Sequence, residues 1–178
     1  DAARLQGANV NLVSGPVSLK ANKGINLFKI NSADEMLNKV FECMESSDIF
    51  ISCAAVADFK PTNYSNTKIK KEDSENLEIN LEKNHDILSE VSKRHSSAYI
   101  VGFAAETSNV NDNANKKLNS KNLNMIISND VSDNSIGFDS DDNEVHVITK
   151  NETIFLKKNK KIKIAREILN IIALNTKS

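Results

Sequence analysis

Hydrophobic and polar positions along the chain follow two different periods. Strands are predicted at residues 8–14, 26–31, 49–57, 98–105 and 125–128, and the last three are runs of apolar or small residues, as strands covered on both faces require. Apolar residues recur at helical spacing at residues 32–46, 86–95, 110–122 and 162–174. Shorter alternating runs predict strands at residues 77–81, 144–149 and 153–157, the last two as an antiparallel hairpin. This order predicts a Rossmann-like α/β fold, with a mostly parallel sheet, helices on both of its faces and a late antiparallel hairpin.

Two segments give sharper local predictions. Ser32 and Glu35 have the spacing of a capping box, so a helix is expected to begin there and to end near Ser46. Residues 49–57 are continuously apolar or small, and we therefore expect them to form the central strand of the sheet.

A polar segment at residues 58–76 interrupts this order, and it is too long for an ordinary connection. Its basic run Lys68-Ile69-Lys70-Lys71 follows a strand end, where a mobile lid could place a cation on phosphate oxygens. A solvated charge run is the alternative reading of the same residues. We expect one domain over residues 1–178, with a mobile lid loop at about 58–76.

Composition and charge limit the compartment and the partners. The formal net charge is -1, so no overall field draws the chain to nucleic acid or to a membrane surface. Cys43 and Cys53 fall in a predicted helix and a predicted strand, which fits a reducing compartment. No run approaches the ~20 apolar residues of a membrane span, and we expect a cytoplasmic protein.

Candidate binding residues follow the predicted strands, because ligands of open α/β sheets lie outside the carboxyl ends of the strands. Ser52, Cys53 and Ala54 are small, so a flat ligand could reach the backbone there. Asp58 could hold a ribose hydroxyl or a metal ion, or could simply form a turn. Phe103 lies at a similar strand end, where it could pack against a base or belong to the core.

Two further groups of polar residues accompany predicted helices. Residues 84–87 lie where a strand passes into a helix, so Asn84 or Asp86 can cap that helix while free N–H groups face a ligand. Lys117 and Lys121 are four residues apart and hence neighbours on one helical face. Their ammonium groups disfavour each other unless an anion lies between them, although a solvated helix face is the commoner explanation.

Taken in order, these segments resemble one family of enzymes. The resemblance begins at about Gly7 and is carried by GANV (7–10), LVSGPVSL (12–19), AAVADF (54–59), KIKK (68–71), VGFAAET (101–107) and NDVS (129–132). Such an ordered set is highly specific. The chain is similar to the phosphopantothenate-cysteine ligase portion of the bifunctional coenzyme A biosynthesis protein, whose other portion is a flavin-dependent decarboxylase.

The resemblance implies a reaction in two steps. The carboxylate of 4'-phosphopantothenate attacks the α-phosphorus of CTP, which gives an acyl-cytidylate and pyrophosphate. The amine of L-cysteine then displaces CMP and gives 4'-phosphopantothenoylcysteine. The resemblance also implies Mg²⁺ bound with CTP, FMN only where a longer natural chain has a separate decarboxylase domain, and a homodimer or higher homo-oligomer.

The resemblance assigns site residues one by one. By the family pattern, CTP contacts fall on Ser52, Cys53, Ala54, Asp58, Lys68, Asn84, His85, Asp86, Ile87, Phe103, Lys117 and Lys121, with Lys68 as the main catalytic cation. The family usually has Pro at the position of His85, which leaves a backbone role intact. The family's first strand, its glycine-rich loop and an Asn that helps the acyl-cytidylate to form are expected before Asp1, so the N-terminal unit is expected to be incomplete.

Two other functions compete with the ligase. A nucleotide-binding module without ligase activity would use the same strand ends and lysines. A dinucleotide-dependent oxidoreductase is suggested only by the order of strands and helices, and the chain lacks the G-x-G-x-x-G fingerprint that such an enzyme carries.

Overall fold

The computed structural model describes residues 1–63, 65, 67, 78–106, 110–130 and 140–176. In these ranges the helices are α1 (Ala2–Leu5), α2 (Ala33–Met44), α3 (Ile87–Arg94), α4 (Val110–Ser120) and α5 (Lys161–Asn175). The strands are β1 (Asn11–Ser14), β2 (Asn26–Lys29), β3 (Ile49–Ser52), β4 (Phe59–Pro61), β5 (Leu81–Lys83), β6 (Tyr99–Glu106), β7 (Met125–Asp130), β8 (Asp142–Thr149) and β9 (Thr153–Lys160). None of the helices found there has the length and apolar character needed to cross a membrane.

Five strands form the main sheet, in the order β3-β6-β7-β8-β9. β3, β6 and β7 run parallel, whereas β8 and β9 form the predicted hairpin, antiparallel to β7. The predicted α/β layout with a late hairpin is therefore confirmed. The prediction that residues 49–57 form the central strand is wrong, because β3 ends at Ser52 and lies at an edge of this sheet, while β6 has a neighbour on each side. A continuous apolar run indicates cover on both faces, but it does not indicate how many strands lie beside it.

Two small sheets accompany the main one. β1 and β2 pair in parallel, and β4 and β5 pair antiparallel. β4 lies inside the segment that was predicted as a loop, and the strand predicted at residues 77–81 lies instead at Leu81–Lys83. Alternation in a short polar segment specifies only weakly which residues pair, so the observed strand begins four residues later than the predicted one. Most of the predicted lid, residues 64, 66 and 68–76, lies outside the described residues.

The two faces of the main sheet carry separate hydrophobic clusters. Under α2, α3 and α4 the buried residues are Val40, Met44, Ile87, Val91, Ala98, Ile100, Ala104, Ala114, Leu118, Leu123, Ile126 and Ile148. Under α5 they are Val101, Met125, Ile127, Val145, Val147, Leu156, Ile164, Ile168 and Ile172. Neighbours such as Ile100 and Val101 belong to different clusters because successive side chains of a strand point to opposite faces. Helices thus cover both faces, and α3 and α4 share one of them.

The capping box predicted at the start of α2 is present. The backbone N–H of Glu35 donates to Ser32 Oγ at 3.2 Å, and Glu35 Oε2 accepts from the backbone N–H of Asn31 at 2.8 Å. The side chain of Glu35 therefore accepts from the residue before the N-cap Ser32, and not from the N-cap itself. α2 begins at Ala33 and ends at Met44, close to the predicted bounds.

Gly102 of β6 allows α3 and the end of α4 to pack closely on the sheet. A Cβ at this position would lie 2.9 Å from Leu88 Cδ2 and 3.0 Å from Leu123 Cδ1. Both distances are shorter than van der Waals contact, so Gly102→Ala is expected to lower the free energy of unfolding by about 1–3 kcal/mol, as overpacking does. Denaturant unfolding measures this loss. Gly15→Ala is the control, because a Cβ there meets only Ile30 Cδ1 at 3.9 Å, and an equal loss in both variants would contradict the packing role of Gly102.

Candidate functional site

The carboxyl end of β3 presents the small residues that the sequence singled out. Ser52 ends the strand, and Cys53 and Ala54 follow it with exposed surface. The protein atoms around the Cys53 thiol nevertheless raise its pKa to about 11 by desolvation. The thiol is therefore protonated near neutral pH.

Asn84 joins this strand end to the start of α3. Its backbone N–H donates to the carbonyl of Asp58 at 2.8 Å, and its Nδ2 donates to the carbonyl of Ala57 at 2.8 Å. A carbonyl can only accept, so the orientation of the side-chain amide is fixed by its partner. Asn84 Oδ1 is left buried without a hydrogen-bond partner. Asn84 therefore holds the Ala57–Asp58 backbone next to the N-terminus of α3.

Asp86 is the N-cap of α3, which confirms the capping role that the sequence allowed. Its Oδ1 accepts from the backbone N–H of Ser89 at 3.1 Å, and its Oδ2 accepts from Ser89 Oγ at 2.8 Å. Desolvation pushes the pKa of Asp86 upward, but hydrogen bonds from Lys121 and Ser89 outweigh it and leave the pKa below its usual value. Ile87, the first residue of the helix, is buried in the core.

Lys121 extends from the end of α4 to this N-cap. Its Nζ lies 2.6 Å from Asp86 Oδ2, so an anion of the chain itself is the partner of this ammonium. Lys121 is therefore paired with a carboxylate of the chain, whereas the prediction of an anion between Lys117 and Lys121 stays a prediction. A cavity of about 330 Å³ lies beside the contact, lined by Ser89, Ser92, Lys93, Ser120, Lys121 and Asn122.

Phe103 does not share this face of the sheet. It alternates with Gly102 and Ala104, which face α3 and α4, and so its side chain lies on the face that α5 covers. Phe103 is 37% exposed. The structure thus brings Asn84, Asp86 and Lys121 together and places Phe103 across the sheet from them.

His85 lies beside a group of charges that ties β4 and β5 to α2. Lys60 Nζ lies 2.6 Å from Asp34 Oδ2 and 3.7 Å from Glu82 Oε1. The hydrogen bond from Lys60 is the main cause that holds the pKa of Asp34 below its usual value, and the nearby His85 acts in the same direction. These side chains fix the strand pair beside the start of α3.

Metal binding has little support within the described ranges. No three His, Cys, Asp or Glu residues gather there in a group that could hold a metal ion. Asp58 is exposed, and the recorded hydrogen bond at this residue uses its backbone carbonyl. An Mg²⁺ ion near Asp58 would therefore need oxygen ligands from the nucleotide that carries it. Lys68, the predicted catalytic cation, lies outside the described residues.

Sequence reasoning missed Ser92, a residue of α3 that contacts the end of α4. Ser92 is 3% exposed, and its Oγ donates to the carbonyls of Lys121 at 2.6 Å and Asn122 at 3.1 Å. The signal was present in the sequence, because Ser92 follows Ile87, Leu88 and Val91 on the apolar face of the helix. A polar residue on such a face needs a buried partner.

The chain matches the family described as the DNA/pantothenate metabolism flavoprotein C-terminal domain over residues 1–175. It is 42% identical over 174 residues to the coenzyme A biosynthesis bifunctional protein CoaBC of Haemophilus influenzae. This match covers 97% of the chain and 43% of that protein, so the chain spans less than half the length of this relative.

Solved structures agree with this match. The crystal structure of the C-terminal domain of CoaBC has a TM-score of 0.82 at 35% identity, covering 98% of this chain and 78% of that one. A mutant of Cab2 in complex with phosphopantothenate-cysteine has a TM-score of 0.65 at 17% identity, covering 87% of this chain and 54% of that one, and it supports the fold alone. With its matching fold and near-complete coverage, the chain belongs to the DNA/pantothenate metabolism flavoprotein C-terminal domain family.

Proposed function

We propose that the chain carries the CTP-binding part of a phosphopantothenate-cysteine ligase of coenzyme A biosynthesis. One observation carries the proposal most directly: Asn84, Asp86 and Lys121, which the family pattern assigns to CTP, meet at the N-terminus of α3. A helix N-terminus favours anions through its free N–H groups and its dipole. The identity to CoaBC supports the same proposal.

The proposed reaction passes through an acyl-cytidylate. The carboxylate of 4'-phosphopantothenate forms a bond to the α-phosphorus of CTP, and the bond to the pyrophosphate oxygen breaks. The amine of L-cysteine then attacks the acyl carbon, and CMP leaves with the electron pair of the broken bond. Charge accumulates on phosphate oxygens in the first step and on the carbonyl oxygen in the second, so fixed cations lower both barriers.

Different residues of this chain would bind the base, bind the phosphates and supply the catalytic cation. The backbone beyond Ser52 would form a base site, while the N-terminus of α3 and Lys121 would hold phosphate oxygens. Phe103 lies on the other face of β6, so a base that contacted its ring would have to pass the carboxyl end of the sheet. Lys68 would supply the cation nearest the reacting atoms. Mg²⁺ would arrive with CTP and neutralise part of its charge.

We expect the chain to bind CTP with Mg²⁺ about tenfold more tightly than ATP, a difference of about 1.4 kcal/mol. The reason is steric, because the exposed small residues beyond Ser52 leave a shallow base site near fixed backbone groups. Calorimetric titration of the chain with each nucleotide measures both affinities. UTP is the matched control, since it has the size of CTP without the exocyclic amine. Equal affinities for CTP and ATP would contradict the assignment.

A nucleotide-binding module without ligase activity is the second candidate. The contacts at the N-terminus of α3 would serve such a module equally well, because they can hold phosphate oxygens without any bond being formed. Binding of CTP without formation of acyl-cytidylate, followed by recovery of turnover when the remaining part of a relative is joined to the chain, separates the two functions.

A further inference from the structure

Lys121 is held at its backbone and at the tip of its side chain by α3 and the N-cap of that helix. At the backbone end, the Lys121 carbonyl accepts from Ser92 Oγ at 2.6 Å. At the other end, Lys121 Nζ contacts Asp86 Oδ2 at 2.6 Å. Ser92 and Asp86 are six residues apart, which is about 9 Å along a helix axis. Lys121 therefore lies along the first turns of α3, with its ammonium group at the N-terminus of the helix.

Ser92 determines where the main chain of Lys121 leaves α4. The last carbonyls of a helix have no partner inside the helix. The single hydroxyl hydrogen of Ser92 is shared between the Lys121 carbonyl and the Asn122 carbonyl, at 2.6 and 3.1 Å. Asn122 has a φ of 49°, in the left-handed region, so the chain turns sharply at this point. The hydroxyl of Ser92 thus holds the turn that follows α4, in which Asn122 has a left-handed backbone conformation.

Asp86 determines where the ammonium group of Lys121 comes to rest. Its Oδ1 is occupied by the Ser89 amide, and its Oδ2 accepts from Ser89 Oγ and from Lys121 Nζ. The carboxylate is thereby held in one orientation by the first turn of α3. An ammonium group has three N–H donors, so the bond to Asp86 leaves donors for phosphate oxygens at the helix N-terminus.

We propose that Ser92 and Asp86 are positioning residues that hold Lys121 ready to receive the triphosphate of the nucleotide. This inference rests on the proposed function, since it takes the N-terminus of α3 as the phosphate site. A lysine held in its bound geometry loses little conformational freedom when the ligand arrives. Neither residue needs to touch the nucleotide through its side chain.

Ser92→Ala tests the backbone contact. It is expected to raise the Kd for CTP with Mg²⁺ about three- to tenfold, because the freed lysine must be ordered on binding. The decisive measurement repeats the substitution in a Lys121→Met background by calorimetry. There the Ser92→Ala change is expected to have no effect on Kd, since the group that it positions is absent. An equal effect in both backgrounds would mean that Ser92 only stabilises the fold, and the inference would be overturned.

Asp86→Asn tests the contact between Asp86 and the ammonium group of Lys121. It also provides the test if the Ser92→Ala variant does not fold. Asn is as good an N-cap as Asp, so α3 is retained while the charge partner of Lys121 is lost. The expected result is again a three- to tenfold weaker Kd that disappears in the Lys121→Met background. Tighter binding by Asp86→Asn would show that the carboxylate competes with phosphate, and would overturn the inference.

Asp142→Asn is the matched control for charge. Asp142 Oδ1 accepts from Lys160 Nζ at 2.9 Å in the β8–β9 hairpin, so the variant breaks a similar ion pair away from α3. Its Kd is expected to equal that of the unsubstituted chain, and a matching loss there would count against a local role of Asp86. If the unsubstituted chain binds no CTP, the proposed function fails and this inference fails with it. If that chain binds and the variants show no coupling to Lys121, only this inference fails.

Discussion

Replacing Lys68 with Gln is expected to slow ligase turnover by about 10² to 10³, the range seen when one transition-state donor is removed. Gln keeps much of the side-chain length and hydrogen bonding of Lys but removes the charge. The residue belongs to a polar segment rather than to the periodic core, so the free energy of unfolding should change by less than about 0.5 kcal/mol. Turnover is measured after the remaining part of a CoaBC relative has been joined to the chain, and unfolding is measured by denaturant.

Lys70→Gln is the control for this prediction, because it removes an equal charge from the same basic run. A large loss at Lys68 and a small one at Lys70 would identify position as the cause. Equal losses at both positions would favour a diffuse basic lid over one catalytic lysine. Near-normal turnover in Lys68→Gln would refute the role altogether.

Leu118→Ala is expected to lower the free energy of unfolding by about 2–5 kcal/mol. Leu118 is 1% exposed on α4 and belongs to the cluster under α2, α3 and α4. Truncation removes three heavy atoms from that cluster and leaves a cavity that the neighbouring side chains fill only in part. Denaturant unfolding gives the loss directly. Lys121 follows α4 directly, so the packing of Leu118 would also support the proposed phosphate site.

Leu174→Ala makes the same chemical change at a position that is 70% exposed on α5. Its free energy of unfolding should stay within about 0.5 kcal/mol of the unsubstituted chain. Similar losses for the two variants would mean that helix propensity, rather than burial, accounts for the effect at Leu118.

The order of strands and helices along the chain was predictable because each element has its own spacing of apolar residues. The capping box at Ser32 and the apolar stripe of α3 specify helices without reference to other parts of the chain. Strand order is different, because it depends on contacts between distant segments. The composition of β3 resembles that of a strand with neighbours on both sides, yet within the described residues it pairs with β6 on one side.

The resemblance grouped the candidate residues, but their individual contacts could not be predicted from the sequence. A resemblance of short motifs placed Asn84, Asp86 and Lys121 in one site, and the structure brings these three together. Spacing alone did not reveal that Asp86 would be the partner of Lys121, since the two lie on different helices. Ser92 was missed because a hydroxyl on an apolar helix face has many possible partners, and only the packing of α3 against α4 selects one.

The outer edge of the hairpin has a consequence for how copies of the chain meet in solution. An edge strand offers unpaired N–H and C=O groups to any extended chain, and growth of a sheet into a filament begins at such an edge. β9 lies at one end of the main sheet and carries exposed Lys157, Lys158 and Lys160. Lys160 is paired with Asp142 inside the hairpin, but charged lysine side chains along an edge strand still disfavour its pairing with a second copy. The lysines of β9 are therefore expected to disfavour filament growth from the hairpin side of the sheet.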